Sequence, residues 1–178
     1  KSVTVNSAEI GANADAATKS LVDGTYTFYV KDAEQKTVRT IKVEIVNGIS
    51  ETVEVDNLKV GTYTVEEDVN NLPEGVALAS SEDTSVTVKP NQTTEIPTAK
   101  FVNNKDVGSL KIKKNVKVNE KDVDALTKNL ADGTYTFIVK DSNDKVVAEP
   151  TITITDGVSN EVQVDNLIPD TYTVTEDV

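Results

Sequence analysis

Three residue types in this chain could do chemistry together: a lysine, a glutamate and an asparagine, each on the apolar face of a strand-like segment. Successive side chains of a strand point to opposite faces, so parity sorts them. In 110–118 (LKIKKNVKV), Leu110, Ile112, Lys114, Val116 and Val118 share one face, with Lys111, Lys113 and Lys117 on the other. Lys1 likewise has the parity of Val3 and Val5. In 63–67 (YTVEE), Glu67 falls with Tyr63 and Val65 while Glu66 falls opposite; Glu176 repeats the arrangement with Tyr172 and Val174. Ala99, Phe101 and Asn103 form one face of a further segment, with Lys100 and Val102 on the other.

An inward Lys, Glu and Asn invite two readings, because buried charges are costly unless paired or neutralised. In the first, Lys and Glu form a buried ion pair with Asn as a hydrogen-bonding neighbour, the lysine snorkelling at the core edge. In the second, burial activates the groups. Desolvation lowers the lysine pKa toward a neutral, nucleophilic amine and raises the glutamate pKa so that it holds a proton. The glutamate then polarises the carboxamide and shuttles protons while Lys attacks and ammonia leaves. The product is an isopeptide cross-link between first and last strands.

The elements that must position these groups come in two copies. Residues 21–69 align without a gap on 130–178 at an offset of 109, with 27 of 49 positions identical. A period this long indicates whole domains in tandem rather than solenoid units. Thr and Val alternation predicts strands at 38–46, 52–55, 62–67, 85–88 and 94–103, besides the strand around Tyr26, Phe28 and Val30. Asn47-Gly48 and Asp156-Gly157 read as tight hairpins. Asp56-Asn57-Leu58, Asp165-Asn166-Leu167, Pro73-Glu74-Gly75 and Pro90-Asn91 read as loops or turns. Only 7–20 carries a weak helical pattern, Ala-rich but broken by Gly11. About seven short strands per unit with little helix predict an all-β fold of tandem Ig-like antiparallel β-sandwiches. The first unit is expected over 1–104 and the second over 105–178. The second has no counterpart to 70–103, and nothing before Lys1 matches 110–113, so the sequence reads as a stretch of a longer array.

Composition removes other chemistries. The 178 residues contain no Cys and no His, and the net charge is −12. Disulfides, thiol nucleophiles, Ser–His triads and thiolate or imidazole metal sites are thereby excluded, and the charge repels phosphate backbones, so no nucleic acid is expected. The loop carboxylates form no calcium-loop pattern, so neither metal nor cofactor is expected. No apolar run reaches the length of a membrane span. The recurring Tyr26, Tyr63, Tyr135 and Tyr172 are expected to pack in the core.

The Lys strand (LKIKKNV), the Tyr-Thr-Val-x-Glu strand and the Phe-Val-Asn strand resemble the Cna-B-type isopeptide domains of Gram-positive pilins and surface adhesins. The resemblance spans the first unit except its leading strand residues, and the first two-thirds of the second. It implies a cross-link between Lys1 and Asn103 assisted by Glu67, and a matching Lys114 with Glu176 in the second unit. Asn104 is the outward-facing alternative to Asn103. The implied role is a structural stalk segment of an extracellular, wall-associated protein. Its partners would be neighbouring repeats and a host ligand of the parent protein, and its only chemistry one self-directed cross-linking event rather than turnover. The rival reading is an adhesin domain that recognises a host protein or glycan through its loops. The short polar loops argue against it, since recognition surfaces favour aromatic side chains and only Tyr29 is a candidate for exposure.

Overall fold

A computed structural model describes residues 1–11, 13–90 and 96–177. The fold is all-β and divides into two units, Lys1–Asp106 and Val107–Val178. In the first unit the strands are β1 (Ser2–Val5), β2 (Ala8–Glu9), β3 (Gly24–Lys31), β4 (Thr37–Val46), β5 (Ile49–Ser50), β6 (Gly61–Glu67), β7 (Val76–Glu82), β8 (Ser85–Val88) and β9 (Lys100–Lys105). They form two sheets, ordered β2-β1-β9-β7 and β5-β4-β3-β6-β8. The inner faces meet in one core: Val3 and Phe101 from the first sheet pack with Tyr26, Phe28, Val43 and Ile45 of the second.

One pairing departs from the antiparallel expectation. β1 and β9 run parallel, with Val3 opposite Asn103 and Thr4 opposite Asn104. A parallel pair needs a long crossover, and here nearly the whole unit supplies it. The first and last strands therefore lie side by side.

The second unit contains β10 (Gly108–Ile112), β11 (Lys117–Val118), β12 (Lys121–Asp122), β13 (Gly133–Lys140), β14 (Val146–Ala148), β15 (Thr151–Thr155), β16 (Val158–Ser159), β17 (Val162–Leu167) and β18 (Thr173–Glu176). β13 pairs with β14, β15 and β18, while β10 pairs with β17. Ile112, Phe137, Val139, Ile152, Ile154, Val164 and Leu167 build its core.

The repeated tyrosines do more than fill space. Each donates its hydroxyl to the carbonyl four residues upstream: Tyr26 to Val22, Tyr63 to Lys59, Tyr135 to Ala131 and Tyr172 to Ile168. A buried phenol needs an acceptor, and the loop before the strand supplies it each time. The tyrosine thus pins the loop entering its strand as well as the core. For Tyr26, burial and then the charges of Glu67 and Asp23 push the phenol up to about 12, so it remains a donor.

Several expectations are corrected. Residues 52–55 form no strand. Their counterparts in β17 are held by β10, with Leu110 opposite Val164 and Ile112 opposite Val162. Among the described residues 52–55 have no such partner, and a strand exists only where its N–H and C=O groups are paired. Conversely, Asp165-Asn166-Leu167 is not a free loop but the end of β17, with Asn166 in a left-handed bend (φ 61°) where the register with β10 shifts. The helix expected over 7–20 shrinks to Ala16–Ser20, capped by Asp15, whose Oδ1 accepts from Thr18 N at 2.8 Å. Asn6 and Ser7 both take positive φ and close a small β1–β2 hairpin instead. β7 had no sequence signal because all but its first residue are exposed; pairing with β9 makes it a strand. The strand expected over 94–103 begins at Lys100; Asn91 and 94–95 lie outside the described residues.

The asymmetry between equivalent segments has a measurable consequence. Backbone amides of 53–55 should exchange with deuterium faster than those of 162–164 in the same molecule, because only the latter lie in a ladder. Equal protection would show that 53–55 is paired in solution.

Candidate functional site

The first-unit site is assembled by three strands from the two sheets. β1 is preceded by Lys1, β6 ends in Glu67, and β9 carries Asn103. The parallel register puts Val3 opposite Asn103, so Lys1, two residues earlier, shares its inward face. In the facing sheet Glu67 stands directly opposite Phe28 of β3. The three side chains meet: Lys1 Nζ donates to Glu67 Oε1 at 2.6 Å and to Asn103 Oδ1. The lysine side chain is 2% exposed, the glutamate 0% and the asparagine 0%.

The walls of the site are aromatic. Lys1 Nζ lies 4.7 Å from the centre of the Tyr26 ring and 5.7 Å from that of Phe28. Phe101 packs against Phe28 with ring centres 5.0 Å apart. These rings exclude water, while their faces attract a cation. Desolvation dominates and lowers the Lys1 amine below its ordinary value of 10.5, opposed by the hydrogen bond and charge of Glu67. The site therefore favours a neutral amine more than water does.

Two polar atoms stand out. Glu67 Oε2 and Asn103 Nδ2 are buried and make no hydrogen bond. An unsatisfied buried group costs about 1–3 kcal/mol and calls for an explanation in function or chemistry. A finished structural ion pair would be expected to satisfy them.

Asn104, the alternative to Asn103, is held elsewhere. Its Oδ1 accepts from Thr4 Oγ1 and Ser7 N, both at 2.8 Å, and its Nδ2 donates to Asp106 at 2.7 Å. Glu66 points the other way from Glu67 and pairs with Lys31, its side chain 44% exposed.

The second unit repeats half of the arrangement. Lys114 Nζ donates to Glu176 Oε2 at 2.6 Å and sits 4.9 Å from the centre of the Tyr135 ring. Glu176 stands opposite Phe137, as Glu67 does opposite Phe28. Here the side chains are 20% and 27% exposed. Among the described residues Lys114 Nζ hydrogen-bonds no carboxamide.

Sequence parity missed two contributors. The Tyr26 ring under the amine shared the correct face but read as packing alone. Ser50 donates its hydroxyl to the Lys1 carbonyl and so fastens the lysine's backbone to β5 of the opposite sheet. Its only sequence trace is identity with Ser159 at the repeat offset.

Among the described residues, no cluster of three or more Asp or Glu could hold a metal ion, and no helix is long and apolar enough to cross a membrane. No known protein family and no curated protein matches the chain. Among solved structures the chain is similar to the Bacillus anthracis TIE protein at 19% identity and a TM-score of 0.38. That match covers 99% of this chain and 28% of the other, and the likeness is too slight to carry an argument.

Removing one partner of a buried pair strands the other charge. Glu67→Ala should destabilise the first unit by about 3–5 kcal/mol, whereas Glu66→Ala, which loses a half-exposed pair, should cost less than about 1 kcal/mol. Urea unfolding at neutral pH compares them directly, and equal losses would contradict the inward placement of Glu67.

Proposed function

We propose that the first unit is a self-cross-linking structural domain in which Lys1 and Asn103 form an isopeptide bond with Glu67 as proton carrier. The observation that carries this reading is the buried convergence of the three groups with Asn103 Nδ2 left unbonded. The carboxamide is held by its oxygen alone, and its nitrogen is free to leave.

The atoms balance as follows. Glu67 takes a proton from the Lys1 ammonium, 2.6 Å away. The freed amine attacks Asn103 Cγ, one bond beyond the oxygen it already contacts. The Nζ–Cγ bond forms, the Cγ–Nδ2 bond breaks, and Nδ2 picks up a proton through Glu67 and departs as ammonia. The one remaining proton stays on Glu67 or leaves with the ammonia as ammonium. Proximity supplies much of the rate, since burial has already met the cost of orienting both partners. Nothing regenerates the lysine, so each domain reacts once.

The bond joins residues 102 apart in sequence. By analogy with loop closure through a disulfide, it would stabilise folding by about 4–5 kcal/mol. A domain whose first and last strands are covalently joined suits load-bearing service, and the resemblance to Cna-B-type domains supports a stalk segment of a Gram-positive surface protein. On the same reading the chain works outside the cell, beside further repeats. Lys114 and Glu176 would be the corresponding pair in the second unit, needing an Asn-bearing strand to react.

Intact mass decides the matter. The protein should be lighter than its formula by one ammonia, Glu67→Ala and Asn103→Ala should restore the full mass, and Glu66→Ala and Lys114→Ala should leave the loss unchanged. A wild-type mass equal to the formula would leave only the ion-pair reading.

Cross-linking of chemically synthesised chain, folded for the first time out of denaturant, should also accelerate as pH rises toward the folded pKa of Lys1, which lies below 10.5, because only the neutral amine attacks. A rate flat or falling over that range would remove Lys1 as the nucleophile.

A further inference from the structure

We propose that Asn47-Gly48 is a latent site of spontaneous deamidation that Asp23 keeps closed. The two residues form the tight turn between β4 and β5, with φ of 53° and 73°. Asn47 is exposed to water. Glycine after asparagine offers no side chain to hinder the chemistry. The backbone N of Gly48 loses its proton and attacks Asn47 Cγ; the N–Cγ bond forms and the carboxamide nitrogen leaves as ammonia. Water then opens the cyclic imide at either carbonyl, giving aspartate or its backbone-lengthened isomer, isoaspartate. Net, one water enters and one ammonia leaves.

The nucleophile of that reaction is already engaged. Gly48 N donates to Asp23 Oδ1 at 3.0 Å. A charge-assisted hydrogen bond of this kind is among the stronger ones. It must break, and the negative Asp23 opposes the loss of the amide proton. Closing a planar five-membered ring also drags Asn47 out of the left-handed turn.

The second unit shows what the turn tolerates. There Asp156-Gly157 takes the same conformation, with φ of 52° and 73°. Gly157 N donates to Asp132 Oδ1 at 2.9 Å, and Lys128 pairs with Asp156 at 3.1 Å. Lys19 is the counterpart of Lys128 at the repeat offset, and its Cβ lies 3.5 Å from where a Gly48 Cβ would stand. An ordinary aspartate at 47 would therefore be accommodated. Isoaspartate would not, because its extra backbone methylene has no place in a two-residue turn. It would displace β5, whose Ser50 holds the Lys1 carbonyl.

The test ages wild type, Asp23→Ala and Asp23→Glu side by side in mildly alkaline buffer and maps aspartate and isoaspartate at 47 by peptide mass analysis. Asp23→Ala should deamidate about tenfold faster than wild type, the rate equivalent of one charge-assisted hydrogen bond. Asp23→Glu keeps a charged acceptor without placing a second asparagine before a glycine, here Gly24, and should remain within about threefold of wild type. Asn57 and Asn119 serve as internal controls and should be unchanged in all three. Wild-type speed in Asp23→Ala overturns the proposal. So does an Asp23→Glu variant as fast as the alanine one, or acceleration spread over the control asparagines, which would mean general loosening. Should Asp23→Ala fail to fold, Asp23→Ser supplies a shorter side chain that cannot reach, and the same comparison applies.

Discussion

The first unit is organised around the removal of one ammonium group from water. Lys1 gives up its hydration for one carboxylate oxygen, one carboxamide oxygen and the faces of two aromatic rings. An uncompensated charge in that place would cost several kcal/mol. β3 with Tyr26 and Phe28, the end of β6 and the middle of β9 are all constrained by the need to surround a single nitrogen. The constraint reaches further through Ser50, which ties the lysine's own backbone to the opposite sheet, and through the Tyr26 hydroxyl, which ties the ring beneath the amine to its entering loop.

Comparison of the two units separates the pair from its enclosure. Both hold Lys and Glu 2.6 Å apart over a tyrosine ring, and in both the glutamate stands opposite a phenylalanine of the central strand. They differ in cover. In the first unit β9 lies across the pair, bringing Phe101 and Asn103; in the second, the pair keeps about a quarter of its surface. The contact between Lys and Glu therefore needs only the central sheet and the lysine segment, while dryness needs the last strand. Correspondingly, desolvation dominates at Lys1.

What parity could read, it read well. Alternation along 1–5, 63–67 and 99–103 is enough to turn Lys1, Glu67 and Asn103 inward and Glu66 outward, because each lies in a regular strand with one wet face or, for Lys1, directly before one. Asn104 followed from the same rule. Pairing was less legible. Nothing in 52–55 distinguishes it from its counterpart in β17, since a strand's existence depends on a neighbour elsewhere in the chain. β7 is illegible for the opposite reason: its side chains are wet on both faces, so only its backbone partner defines it. The parallel relation of β1 to β9 was equally invisible, because strand direction is a property of the path between strands rather than of either strand.

That parallel pairing has a consequence for timing. Contacts between residues a hundred positions apart are the slowest to form, because the chain between them must be closed first. β9 is the last strand of the unit to be synthesised, and Asn103 reaches Lys1 only when β9 has docked beside β1. By then the core that Val3 and Phe101 share with the facing sheet is in place. A lysine in a half-folded chain is hydrated, protonated and far from Asn103. If the proposed cross-link forms, the last step of assembly is thus the one that creates the conditions for it, and a misfolded copy would keep its free amine as the mark of its failure.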